Sequence, residues 1–199
     1  MALFADPLLF LRLREASVPD LRTWPWPIVW VSGCGTGELA YALAVLLREE
    51  GVLSRTMLYA TAPTEAELDV ARRGVYQGCD WDRLDAAYRA AGGRSSLSEY
   101  CRKDGDQITV RPTLRDRMAF FQHDPRIDGS PNEFQMIVSG VGLERLLPDD
   151  VTRVLGLYHG SLCRFGSLAL LRGSSLALSP RRSSYTPIEP GGHLYRRMR

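Results

Sequence analysis

Three glycines at alternate positions, Gly33, Gly35 and Gly37, separate a short apolar run, Ile28-Val29-Trp30-Val31, from a segment of helix formers, Glu38 to Leu47. The run is rich in β-branched residues and the segment after it has apolar residues at helical spacing, so the stretch predicts a strand, a tight loop and a helix. Lacking a Cβ, the glycines can take positive φ and let backbone N–H groups approach a ligand beside the positive end of the helix. The same glycines also suit a tight strand-to-helix turn with no ligand. No Lys-Ser or Lys-Thr pair follows, which excludes a phosphate loop, and the third glycine comes one residue too early for GxGxxG.

The flanking segments extend this pattern. The helix stops at Gly51, Arg55 to Thr61 reads as a buried parallel strand, and Thr64-Glu65-Ala66-Glu67 opens a helix through Arg73. This β-loop-α-β-α order opens a doubly wound sheet. Upstream, Asp6 and Pro7 cap a short helix to Arg14, and Trp24-Pro25-Trp26-Pro27 predicts extended backbone with the indoles packed on the sheet edge. At 199 residues the chain predicts a single domain spanning 1–199, with a small helical and antiparallel insertion over 77–117. Within it lie a helix from Asp80 to Ala91 and an antiparallel excursion from Tyr100 to Arg111. Met118 to Gln122 returns as the third core strand, Phe134 to Ser139 follows as the next, and Pro148 to Tyr158 reads as a helix. Phe165 to Arg172 and Gly192 to Arg197 read as closing antiparallel strands.

Charge and cysteine content narrow the function. A net charge of +2 gives no bulk electrostatic case for nucleic acid. Cys34, Cys79, Cys101 and Cys163 lie far apart, with no CxxC pair and no clustering with His123, His159 or His193. A zinc site and a disulfide framework are therefore not expected. Asp6, Arg12 and Arg14 interrupt the apolar start, and no run approaches the ~20 apolar residues of a membrane span. A cytoplasmic protein without membrane insertion is expected.

Several separated motifs resemble the CheR family of chemotaxis receptor methyltransferases, which esterify glutamate side chains with S-adenosylmethionine. Trp30-Val31-Ser32-Gly33-Cys34-Gly35-Thr36-Gly37-Glu38-Leu39-Ala40-Tyr41 is similar to the family's first-strand loop, W-S-A-A-C-S-T-G-E-E-P-Y. Ala71-Arg72-Arg73-Gly74-Val75-Tyr76 resembles A-R-x-G-x-Y, and Val110-Arg111-Pro112 through His123-Asp124 resembles V-R-P-x-L-R-x-x-V-x-F-x-x-H-N. Phe4-Ala5-Asp6-Pro7 is similar to F-R-D-P at the family's domain entrance. The resemblance implies an α/β fold: a Rossmann-like class I methyltransferase sheet with helices on both faces and a small antiparallel β insertion. It implies no counterpart here for the family's N-terminal helical domain. It also implies S-adenosylmethionine or S-adenosylhomocysteine as the ligand, if any is kept, with Gly33, Cys34, Gly35, Gly37, Glu38 and Asp124 as cofactor-binding candidates.

Departures from the family pattern point away from catalysis. Ala5 replaces the arginine of F-R-D-P, and Ala62 stands where the second-strand aspartate would hold the ribose, leaving Glu65 as the nearest carboxylate. Gly140 and Val141 replace an Arg-Asn pair, and Arg172-Gly173-Ser174-Ser175 replaces G-H-S-E. No catalytic residue is assigned. A degenerate methyltransferase fold is expected, acting as a regulatory or scaffolding protein in chemotaxis-like signalling. Its partner would be a signalling protein or receptor peptide, added as a strand near residues 107–111. The alternatives are an active protein-glutamate O-methyltransferase and a signalling-nucleotide module gripping phosphates with Arg181 and Arg182.

Overall fold

The computed structural model of the protein describes residues 3–177, 179–188 and 193–199. The Asp6 carboxylate accepts from the Leu9 N–H at 3.3 Å and caps α1 (Pro7–Arg12), with Pro7 in the first turn where no helical donor is lost. A π-helical turn then leads to α2 (Val18–Leu21). The chain bends through residues 24–26, and here the structure corrects the sequence reading. Trp24 and Trp26 are exposed, Trp26 by 70%, because β1 (Ile28–Ser32) begins only beyond Pro27 and is no edge strand. The indole that packs on the sheet is Trp30, fully buried, with its Nε1–H donated to Thr61 Oγ1 at 2.9 Å.

After β1 come α3 (Glu38–Glu49), β2 (Met57–Ala62) and α4 (Glu65–Arg73), the last capped by Thr64. A small antiparallel sheet follows, built from β3 (Val75–Tyr76), β4 (Cys101–Asp104) and β5 (Gln107–Val110), with α5 (Trp81–Ala90) between β3 and β4. Its order is β3-β5-β4, so residues 107–110 form the central strand, paired on both sides. The expected free edge there does not exist. Gly74-Val75-Tyr76 occupies it, and the edges of the small sheet belong to the two-residue β3 and to the longer β4.

The main sheet adds β6 (Met118–Gln122), β7 (Phe134–Ser139), β8 (Leu162–Leu170), β9 (Tyr185–Pro187) and β10 (Leu194–Arg197), with α6 (Pro148–Ser161) joining β7 to β8. Its order is β6-β2-β1-β7-β8-β10-β9, and the first five of these strands are parallel. β10 runs antiparallel between β8 and β9. Of the two expected closing strands, β8 is thus parallel to β7 and antiparallel to β10, and β10 is antiparallel to both its neighbours. β8 starts at Leu162, directly off α6, because a helical crossover returns the chain to the end of the sheet from which β7 began. Gly192, expected to open the last strand, lies outside the described residues.

Alternation along the strands divides the core between two faces. Val29, Val31, Leu58, Ala60 and Val138 pack with Leu43, Leu46 and Leu47 of α3 and with residues of α1, α4 and α5. Trp30, Ile137, Leu168 and Leu170 pack with Val154, Leu155 and Tyr158 of α6 on the other face. Among the described residues no helix is long and apolar enough to cross a membrane, and none of the four cysteines is in a disulfide.

Candidate functional site

Strand order reverses at β1, with β2 and β6 on one side and β7 on the other. Open α/β sheets take ligands in the crevice beyond the carboxyl ends of the strands at such a point. A cavity of about 300 Å³ lies there. Its lining comes from Gly33 and Gly35 after β1, Pro63 after β2, Glu67 of α4, Asp124, Pro125 and Arg126 after β6, and Gly140, Val141 and Leu146 after β7.

The three loop glycines have positive φ for different reasons. A Cβ at Gly33 would come within 2.8 Å of Val141 Cγ2, and one at Gly37 within 2.9 Å of Ala71 Cβ on α4. Those two positions serve close packing. At Gly35 a Cβ would meet nothing within 4 Å, although the residue lines the cavity. Its Cα face is open to the cavity. The loop is held by the Cys34 N–H donating to the Thr61 carbonyl at 2.7 Å and the Gly37 N–H donating to the Cys34 carbonyl at 2.9 Å.

Of the six residues proposed from sequence, Gly33, Gly35 and Asp124 line the cavity, while Cys34, Gly37 and Glu38 do not. Burial, reinforced by the charge of Glu67, pushes the Cys34 thiol up to about 12, so it stays protonated. Glu38 accepts from Thr36 Oγ1 at 2.6 Å in the first turn of α3, where a carboxylate complements the helix dipole. Asp124 is gripped by Arg126, whose Nη2 lies 2.6 Å and Nε 3.0 Å from its oxygens. Those hydrogen bonds hold the Asp124 carboxyl below the usual carboxylate range.

Two charged lining residues, Glu67 and Arg126, were not among the candidates. Glu65, expected near the ribose position, pairs with Arg72, and Glu67 is the α4 carboxylate that lines the cavity. The available signal was the capping box Thr64-x-x-Glu67: Thr64 Oγ1 donates to Glu67 Oε2 at 2.7 Å, fixing Glu67 at the mouth of the helix. The other Glu67 oxygen has no hydrogen-bond partner among the described residues. Arg126 could have been read as a neighbour of Asp124 across a turn.

Tyr158 of α6 braces the cavity floor from below. Its hydroxyl donates to Ser32 Oγ at 3.0 Å and lies 3.0 Å from Ser139 Oγ, joining the last residues of β1 and β7. Burial pushes this phenol up to about 12. Tyr158→Phe leaves buried serine hydroxyls short of a partner and is expected to lower stability by ~1–3 kcal/mol in urea unfolding. An unchanged midpoint would show that the brace carries no load.

The donor set suits an S-adenosyl nucleoside. Pro63, Pro125, Val141 and Leu146 supply apolar walls for a purine, Glu67 a free oxygen for ribose hydroxyls, and the loop at Gly35 an open approach for the amino-acid end. Comparison with known proteins agrees. A family model described as "CheR methyltransferase, SAM binding domain" matches residues 12–143. Cher3 of Pseudomonas putida, which carries a methyltransferase name, is 37% identical over 195 residues, covering 98% of this chain and 71% of that protein. A chemotaxis protein methyltransferase of Listeria innocua is 28% identical over 169 residues, covering 85% of this chain and 59% of that one. Among solved structures, a TehB-like SAM-dependent methyltransferase from Corynebacterium glutamicum aligns with a TM-score of 0.49 and 15% identity, covering 92% of this chain and 85% of its own. With the family model matching residues 12–143 and 37% identity to Cher3 over nearly its whole length, the chain belongs to the CheR methyltransferase family and carries that family's S-adenosylmethionine-binding domain.

Proposed function

We propose that the chain binds S-adenosylmethionine or S-adenosylhomocysteine in the cavity at the ends of β1, β2, β6 and β7 and serves as a regulatory or scaffolding member of its family in chemotaxis-like signalling, without methyl transfer of its own. One observation carries this reading. The cavity keeps the surfaces that hold a nucleoside, while Arg126, the cation among its described lining residues, is bound to Asp124.

Methyl transfer from the sulfonium requires an acceptor carboxylate oxygen held in line with the methyl carbon, so its rate rests on orientation. A carboxylate is best oriented by a forked cation. Ala5, at the position of the family's arginine, lines a separate hollow with Gly78, Asp80 and Arg83. Arg126 would have to leave Asp124 to take the role. For the partner, we assign the free edge of β4, whose exposed Arg102, Lys103 and Asp104 could accept an added peptide strand.

Isothermal titration with S-adenosylhomocysteine, followed by incubation with methyl-labelled S-adenosylmethionine and a receptor fragment bearing glutamates, tests the reading. Micromolar binding without base-labile label is the expected outcome. Label released as methanol would replace it with an active glutamate O-methyltransferase using the same cavity. No binding at millimolar ligand would remove both.

A further inference from the structure

A second cavity, of about 360 Å³, lies at the β9–β10 corner of the main sheet and shares no lining residue with the one at β1. Arg182, Tyr185, His193 and Tyr195 line it, with Ser175 at its margin. Three observations mark it as built for an occupant.

Tyr185 is only 8% exposed, yet its hydroxyl has no hydrogen-bond partner among the described residues. Buried polar groups are nearly always paired, so an orphan on a cavity wall marks a place where something is missing. Arg182, in the 3-10 turn just before β9, is exposed, and its guanidinium has no hydrogen-bond or ion-pair partner among the described residues. His193 Nδ1 donates to the Ser174 carbonyl at 2.9 Å, which fixes the tautomer and leaves Nε2 without a partner among the described residues. The surroundings are cationic. The Tyr185 ring packs edge-on against His159 at 5.6 Å, whose own Nδ1 has no hydrogen-bond partner among the described residues and whose carbonyl accepts from Arg197 at 2.7 Å. His159 is held below its ordinary value by burial first, then by the charges of Arg197 and Arg181.

A forked cation, two unsatisfied polar groups and two tyrosine rings around one cavity are the complement of a planar aromatic molecule with an anionic group. We propose that this cavity is a second ligand site, for a nucleoside phosphate. The Arg182 fork takes phosphate oxygens, the Tyr185 hydroxyl and His193 Nε2 complete the polar contacts, and the half-buried Tyr195 ring carries the base. The site is independent of S-adenosylmethionine binding, so the proposal stands or falls apart from the function proposed above.

Calorimetric titration with AMP, adenosine and inorganic phosphate tests it on the full chain and on Gly35→Asp, Arg182→Ala and Tyr185→Phe. Gly35→Asp blocks the first cavity. AMP binding is expected to survive in Gly35→Asp and to weaken by about tenfold or more in Arg182→Ala, the loss of one charge-assisted pair. Tyr185→Phe is expected to weaken AMP binding with no loss of thermal stability, since its hydroxyl bonds nothing in the free protein. Adenosine is expected to bind more weakly than AMP. Absence of AMP binding would overturn the proposal. So would its loss in Gly35→Asp with retention in Arg182→Ala, or inorganic phosphate binding as tightly as AMP, which would leave an adventitious ion only.

Discussion

Gly35→Asp is expected to weaken S-adenosylhomocysteine binding by about a hundredfold or more while the protein stays folded. The loop residue has φ of 53°, a left-handed conformation that Asp tolerates better than most residues. A Cβ there meets no atom within 4 Å, so the fold loses little. The added carboxylate stands on the wall of a cavity that is small for a nucleoside with an amino-acid tail, and it repels the ligand's own carboxylate. Excluding the ligand and adding an uncompensated charge together exceed the ~2.7 kcal/mol that a hundredfold represents. Gly35→Asn, nearly equal in volume and uncharged, separates the two effects. Wild-type affinity in both variants would place the ligand elsewhere and withdraw the cavity at β1 from the proposed function.

Arg14→Ala is expected to cost ~3–5 kcal/mol of stability, a large part of the ~5–15 kcal/mol available to a domain of this kind. The Arg14 side chain is 5% exposed and bridges two acids at the end of α3, with Nη2 2.6 Å from Glu49 Oε2 and Nη1 2.7 Å from Glu50 Oε1. Glu49 also accepts from the Tyr88 hydroxyl and from the Arg94 N–H at 3.2 Å, and Glu50 pairs with Arg22 at 2.7 Å. Removing the guanidinium leaves two neighbouring carboxylates buried together. Urea unfolding measures the loss, and a value under ~1 kcal/mol would mean that water reaches both acids without cost.

The same cluster sets an acid limit. Burial alone would raise the Glu49 carboxyl, but hydrogen bonds from Tyr88, Arg14 and the Arg94 N–H outweigh it and hold the group below its ordinary 4.5. Its folded value is therefore lower than its unfolded one. The stabilisation is complete above about 4.5 and fades as pH falls through the folded value. In Arg14→Ala the stability-pH curve is expected to be flatter across that acid range than in the wild type.

Much of the architecture is written in short-range chemistry. Asp6, Thr64 and Asp80 accept from backbone N–H groups three residues on, so α1, α4 and α5 start where local capping rules put them. Gly33, Gly35 and Gly37 between a β-branched run and a helical one announce the strand-loop-helix at the centre of the sheet. Asp124 illustrates the limit of such reading. Its place beside the cavity follows from where β6 ends, but its two oxygens belong to Arg126, and that is a matter of side-chain geometry across a turn.

Local patterns therefore carry the element order, the parallel core and the crevice at β1, because caps, glycines and alternation act within a few residues and each element buries its own apolar face. Long-range pairing carries the rest. The neighbours of β5 put it at the centre and leave β3 and β4 at the edges, α6 delivers β8 parallel to β7, and Glu67 rather than Glu65 reaches the cavity. Pairing partners and the direction of a side chain on a helix depend on backbone segments brought together from far along the chain, whose positions no local rule contains.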